Sequence, residues 1–167
     1  MKKLLFLLVI ALFFAHMAAA SEGPKPGTIP PLFTLQDLSG QTVSLHPYLG
    51  KGPVVVFFFT SWARSCVNES EYLNLLYGAH KEKGLTVLGV AFDRKLSSLN
   101  AFAEEKGIKY DILLDPKLST LNAYRILVIP TTVIIDRSGK IKNIYIEFDD
   151  NVQKAIEKDV KEIMADQ

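Results

Sequence analysis

The most restrictive feature of the chain is a run of six apolar residues at positions 54–59, VVVFFF, which offers no polar face. A strand that is apolar on both sides has to be covered on both sides, as in a parallel sheet flanked by helices. Two further apolar runs, at 85–93 and 131–136, have the same character. Stretches with apolar residues at helical spacing separate the three runs. The sequence therefore predicts an α/β domain built on a central sheet.

The remaining elements follow from periodicity and turn residues. The alternation in FTLQDLSGQTVSL predicts an N-terminal β-hairpin. Helices are predicted over residues 65–83, 96–107, 116–126 and 151–165, and shorter strands over residues 110–115 and 140–148. Either Asp149 or Asp150 is expected to cap the last helix.

The first twenty residues have the features of a secretory signal peptide. Lys2 and Lys3 form a basic start, residues 4–14 are continuously apolar, and three alanines precede Ser21. This arrangement predicts cleavage after Ala20 and export to the periplasm or another extracytoplasmic space. An uncleaved N-terminal anchor is the alternative.

The rest of the sequence divides into two parts. Residues 21–31 are rich in Pro and Gly and predict a flexible arm, whereas residues 32–167 are long enough for one domain with its own core. Without Lys2 and Lys3 the chain carries a net charge near −1, which argues against a nucleic-acid partner. The one cysteine, Cys66, excludes an internal disulfide. It leaves three alternatives, which are a free thiol, an intermolecular partner or a buried apolar side chain.

Four blocks of sequence carry a family resemblance: PLFTLQDLSGQTVSL, VVVFFFTSWARSC, VLGVAFD and LLDPKLSTLNAYRILVIPTTVIIDRSGKI. They resemble four parts of the exported TlpA/ResA-type thiol-disulfide oxidoreductases and the related AhpC/TSA-like redoxins. In chain order, these parts are the N-terminal hairpin, the strand that leads into the W-C-x-x-C helix, the second strand and the block that contains the cis-proline. The resemblance covers residues 31–164. It implies a thioredoxin-like fold, in which a central mixed sheet flanked by helices carries an N-terminal hairpin and a central helix-strand insertion.

The resemblance aligns residues 62–66 with the W-C-x-x-C motif. Trp62 takes the place of the tryptophan, Ala63 that of the nucleophilic cysteine, and Cys66 that of the resolving cysteine. Thiol-disulfide exchange begins when an exposed thiolate attacks a disulfide, and a second thiol then displaces the substrate. Alanine at position 63 removes the attacking atom. The T-x-x-C motif of peroxiredoxins leads to the same position, since Ala63 stands three residues after Thr60.

Substrate contacts implied by the resemblance fall at the first and middle positions of the motif and at the proline loop. The residues are Trp62, Arg64, Ser65, Ile129 and Pro130. Pro130 is expected in the cis form, with Ile129 offering its backbone groups to an extended peptide. Trp62 is expected either to contact a partner or to pack over the helix start. Arg64 is expected to pair with an acidic partner, to stabilise a thiolate, or to be solvated.

Residues around Cys66 bear on whether its thiol can react. Glu69 is expected either to orient Cys66 or accept its proton, or to be an ordinary exposed acid favoured by the helix dipole. The strand residues at 57–59 are all phenylalanine and offer no proton carrier below the motif. Cys66 itself is either a buried structural residue or a reactive single thiol.

The sequence leads to three functional hypotheses. In the first, the protein has lost dithiol exchange and retains a groove that binds peptides or a partner protein. In the second, Cys66 acts as a single-cysteine redox enzyme with an external thiol such as glutathione. In the third, Ala63 is an engineered substitution in a normal thiol-disulfide oxidoreductase. All three imply protein or peptide thiols and disulfides as partners, including a membrane-bound redox partner, and predict no cofactor, no metal and no nucleic acid.

Overall fold

A computed structural model describes residues 23–165 of the chain. These residues form one seven-stranded mixed sheet with the strand order β2-β1-β5-β4-β3-β6-β7. The strands are β1 (Thr34–Asp37), β2 (Thr42–Ser44), β3 (Val54–Phe59), β4 (Thr86–Ala91), β5 (Asp111–Leu114), β6 (Thr131–Ile135) and β7 (Ile141–Ile146). The helices are α1 (Arg64–His80), α2 (Leu96–Glu105), α3 (Ser119–Tyr124) and α4 (Asp150–Ala165). The predicted α/β class, with its thioredoxin-like mixed sheet, is confirmed.

Strand β3 lies inside the sheet, as its unbroken apolar run predicts. It pairs in parallel with β4 and antiparallel with β6, and all six of its residues are buried. Val55, Phe57 and Phe59 face a core that also contains residues of α1 and α4, whereas Phe58 faces a second core on the other side of the sheet. The two-residue side-chain period of a strand thus divides one apolar run between two layers of packing.

Helix ends differ from the predicted limits where side chains or turns intervene. The predicted helix over residues 116–126 is confined to α3, because the Asp115 carboxylate accepts hydrogen bonds from the backbone N–H groups of Ser119 and Thr120 and starts the helix there. The helix predicted over residues 65–83 is α-helical as far as His80 and continues as a 3-10 turn, Lys81–Lys83. Asp149 caps α4, since its Oδ1 atom accepts from the N–H groups at positions 151 and 152.

The predicted signal peptide and its cleavage site, within residues 1–22, lie outside the described residues. The described part of the predicted arm contacts the edge strand, where Gly27 donates to the carbonyl of Ile141 and Ile141 donates to the carbonyl of Thr28. Within residues 23–165 no helix combines the length and apolar character needed to cross a membrane.

Candidate functional site

The turn between β3 and α1 is held by a buried aspartate. Ser61 donates to both carboxylate oxygens of Asp93, with its backbone N–H at 2.9 Å and its hydroxyl at 2.6 Å. Asp93 follows the end of the neighbouring strand β4, so the two adjacent strand ends are joined at this point. The next side chain along the chain, Trp62, is 76% exposed, which favours the expected contact with a partner over packing at the helix start.

Ala63 occupies the N-cap position of α1 in an extended conformation. Its methyl group cannot cap the helix, and its carbonyl accepts the first intrahelical hydrogen bond, from Val67. The backbone N–H groups of Arg64, Ser65 and Cys66 have no hydrogen-bond partner among the described residues. A helix N-terminus with free N–H groups stabilises a negative charge placed beside it.

Cys66 lies one turn into the helix and is completely buried. It packs in the same core as Phe57 and Phe59, whose rings stack with their centroids 4.8 Å apart. Burial raises the pKa of the Cys66 thiol, the charge of Glu69 raises it further, and contacts with Thr60 oppose part of the rise. The thiol is therefore kept neutral and away from solvent, the opposite of what an attacking sulfur requires.

Glu69 is buried beneath the helix start rather than exposed, so the expected alternative of an ordinary solvent-facing acid is wrong. Its Oε1 atom accepts a 2.6 Å hydrogen bond from the hydroxyl of Thr132, while its Oε2 atom is buried without a hydrogen-bond partner among the described residues. Burial raises the pKa of Glu69 to about 8, and the Thr132 hydrogen bond opposes that rise. The acid that the strand residues do not provide is thus supplied by α1. Its position three residues after Cys66 and four before the buried Leu73, on the apolar face of the helix, was the signal in the sequence.

The loop before β6 contains a cis peptide bond between Ile129 and Pro130, as expected. The carbonyl of Val128 accepts from the Thr131 hydroxyl at 2.7 Å, and the carbonyl of Pro130 accepts from the backbone of Glu147 at 2.9 Å. The N–H and C=O groups of Ile129 have no partner among residues 23–165. This half-buried residue therefore presents a free donor and a free acceptor at the loop.

The structure distributes the predicted site residues between a buried set and an exposed set. Cys66 lies in the core, and Ala63 and Ile129 both pack against that core from its edge. Arg64 and Ser65 are exposed at the start of α1, and Arg64 makes no ion pair with a described residue. A cluster of three or more side chains able to hold a metal ion does not occur in the described part of the chain.

Comparison with known proteins identifies the family of this arrangement. The AhpC/TSA family profile matches residues 26–144. The chain is 34% identical to the thiol-disulfide oxidoreductase ResA of Geobacillus thermodenitrificans, over 84% of this chain and 82% of that protein. It is 37% identical to the ResA of Geobacillus kaustophilus, over 79% of this chain and 73% of that protein.

A solved structure supports the same family. The thioredoxin domain of a thiol-disulfide oxidoreductase from Bacteroides vulgatus superposes with a TM-score of 0.71 and 30% sequence identity, covering 81% of this chain and 97% of that domain. The chain therefore belongs to the AhpC/TSA family and, among its thioredoxin-like redoxins, to the thiol-disulfide oxidoreductases.

Proposed function

We propose that the protein is an exported, non-catalytic member of this group, which binds extended peptides or a partner protein in the family's substrate groove. The groove would be formed by Trp62, the exposed start of α1 at Arg64 and Ser65, and the loop at Ile129 and Pro130. The free backbone groups of Ile129 and the exposure of Trp62 support contact with a partner.

The observation that carries the proposal is the absence of a sulfur from which attack could start. The only cysteine of the chain is Cys66, and its side chain is completely buried with a raised pKa. Position 63, beside the free N–H groups of the helix, carries a methyl group instead. Two-thiol exchange needs both an exposed attacking thiolate and a resolving thiol, so the pair is incomplete.

The same observation weighs against a single-cysteine enzyme. Such an enzyme would need the Cys66 sulfur to meet a disulfide or glutathione, yet no part of this side chain reaches solvent. A thiol with a raised pKa is also mostly protonated at neutral pH, and the protonated form is not the nucleophile.

Partners and location follow from the family. Protein thiols and disulfides are the substrates of thiol-disulfide oxidoreductases, and we propose that protein segments of this class bind here, one of them from a membrane-bound redox protein. We also propose residues 1–20 as a cleaved signal peptide, so that residues 21–167 work in an extracytoplasmic space. Of these, residues 21–31 would form the arm and residues 32–167 the thioredoxin-like domain.

Reduction of insulin disulfides by the purified protein, with dithiothreitol supplied to re-reduce it after each cycle, tests the proposal. We expect no turnover above background for the chain as it stands and measurable turnover for an Ala63→Cys variant, because that change places a thiol at the helix N-terminus with Cys66 as its resolving partner. An Ala63→Ser variant is the matched control, since it adds a polar atom of similar size without a thiol. Turnover by the unaltered chain comparable with that of Ala63→Cys would refute the proposal.

A further inference from the structure

We infer that a cleft beside the proline loop is a side-chain subsite of the proposed groove, and that it selects an extended peptide carrying a large apolar side chain next to acidic residues. The inference rests on the proposed function and names the class of segment that the groove takes. It depends on four features of the cleft, which are its lining, its rim, its neighbouring backbone groups and its charge.

The cleft lies between the end of β4, the segment around α3 and the loop that leads to Pro130. It has a volume of about 570 Å³, in the range of sites that enclose small ligands or several side chains. Most of its lining is apolar and comes from Phe92, Leu118, Leu121, Ile126, Leu127 and Val128. Such a lining favours an apolar group over a polar one, because a polar group would lose its hydration there without gaining partners.

The rim of the cleft consists of apolar side chains that the fold leaves in solvent. Leu127 is 94% exposed, and Leu118 and Val128 are each 40% exposed. Leu118 has a positive φ of 55°, which is unusual for a leucine. The Leu118 backbone is held by its own hydrogen bond to Asp115 and by the bonds that Asp115 accepts from the two residues after Leu118. Clustered exposed apolar residues mark an interaction surface more often than single ones do.

Ile129 links the cleft to an extended peptide. It lines the cleft, and its backbone N–H and C=O groups are free of partners in the described part of the chain. A peptide that pairs with both groups adopts the extended conformation of an added strand. Because side chains of an extended peptide alternate between two sides, one of them would be directed into the cleft.

The exposed charges at the cleft are positive. Arg94 lines the cleft, and Lys95 and Lys117 are exposed on the two segments that border it, without an ion pair to a described residue. The two acids nearby, Asp93 and Asp115, are buried and already accept hydrogen bonds from neighbouring serine and threonine groups. Acidic residues beside the apolar side chain therefore complement the rim.

A second copy of the chain offers a competing occupant. Its segment of residues 146–150 carries Ile146, which is 59% exposed, next to the exposed acids Glu147 and Asp149. That segment has the chemistry expected of the partner, so self-association must be measured in the same experiment.

The test uses two acidic nine-residue peptides that differ only in a central phenylalanine or alanine, with binding followed by fluorescence anisotropy. We expect the full chain to bind the phenylalanine peptide about tenfold more tightly, which corresponds to partial burial of one aromatic side chain. The Leu118→Asp variant should lose this preference; aspartate tolerates the left-handed backbone at this exposed position. Leu75→Asp is the matched control, because Leu75 is 74% exposed on α1 and lies outside the cleft.

A second variant, Lys117→Glu, tests the charge of the rim. It should weaken binding of both peptides and reduce the salt dependence of that binding.

The outcomes separate the two levels of the proposal. Equal binding of both peptides, or an unchanged preference in Leu118→Asp, would overturn the subsite and leave the peptide-binding function standing. No binding of either peptide would overturn both. Dimerisation of the chain that the phenylalanine peptide cannot compete away would overturn the peptide assignment in favour of self-association.

Discussion

The interior of the site, formed by Cys66 and Glu69, differs in solvent exposure from its mouth, which we define as Trp62 at the start of α1 and Leu127 in the proline loop. Cys66 and Glu69 are completely buried, and burial raises the pKa of both groups. Trp62 and Leu127, at the mouth, are 76% and 94% exposed. The interior therefore holds neutral groups away from solvent, while the mouth keeps a surface for contact.

On the proposed function, binding and chemistry use different parts of the site. Contact with a peptide would need only the exposed side chains and the free backbone groups of the proline loop. Exchange needs, in addition, one sulfur at the boundary between mouth and interior, where Ala63 stands. On the proposed function, a methyl group at position 63 removes exchange and leaves the contact surface.

The largest expected effect concerns the accessibility of the interior thiol. Alkylation of Cys66 in the folded protein should be roughly a thousandfold slower than in the denatured chain, because the buried thiol reacts only after local opening. The measurement is the rate of iodoacetamide modification followed by mass spectrometry. The matched control is the Ala63→Cys/Cys66→Ala double variant, whose thiol should react quickly when folded. A folded-state rate for Cys66 within tenfold of the denatured rate would remove the contrast between interior and mouth.

The buried acid should make the stability of the protein depend on pH. Burial raises the pKa of Glu69 to about 8 in the folded state, against an ordinary value of 4.5 for the unfolded chain, so between these values the unfolded chain releases a proton that the folded chain retains. The free energy of unfolding should therefore fall as the pH rises through this window, by an amount on the order of 3 kcal/mol from this group. Below the window both states are protonated and the stabilisation is fully present.

Glu69→Gln isolates this contribution, since glutamine preserves the shape and the acceptor for Thr132 without titrating. Urea unfolding at about pH 5 and pH 8 should show a smaller pH dependence for Glu69→Gln than for the unaltered chain. Glu104→Gln, a change at an exposed acid on α2, should leave the dependence unchanged. The same dependence in Glu69→Gln as in the original protein would show that Glu69 is not held as a neutral acid.

The smallest expected effect lies at the mouth. Trp62→Ala should weaken binding of an extended peptide by about tenfold, because an exposed aromatic residue that becomes covered by a partner contributes much of the contact energy. The free energy of unfolding of this variant should stay within about 0.5 kcal/mol of that of the unaltered protein, as expected for a surface substitution. A large loss of stability would instead assign Trp62 to the packing of the helix start.

The sequence predicted the fold more completely than the site. The apolar run of β3 and the helical spacings around it predict a covered sheet, and the structure contains that sheet with β3 buried inside it. The sequence did not distinguish a buried Glu69 from an exposed one. Its burial depends on the packing of α1 against Thr132, which is distant in sequence. The helix predicted over residues 116–126 was longer than α3 for a similar reason, since the hydrogen bonds of Asp115 set the start of α3. The cis state of Pro130 was predicted by family resemblance and not by local sequence preference.

On the proposed function, attack on a disulfide has to start at position 63 and cannot start at Cys66. Trapping of a mixed disulfide with a disulfide-bonded peptide tests this, using the unaltered chain and the Ala63→Cys/Cys66→Ala double variant side by side. Each protein then has one cysteine, so a mixed disulfide persists once formed. We predict a trapped adduct for the double variant and none for the unaltered folded chain; an adduct on Cys66 forming at a comparable rate would contradict the claim.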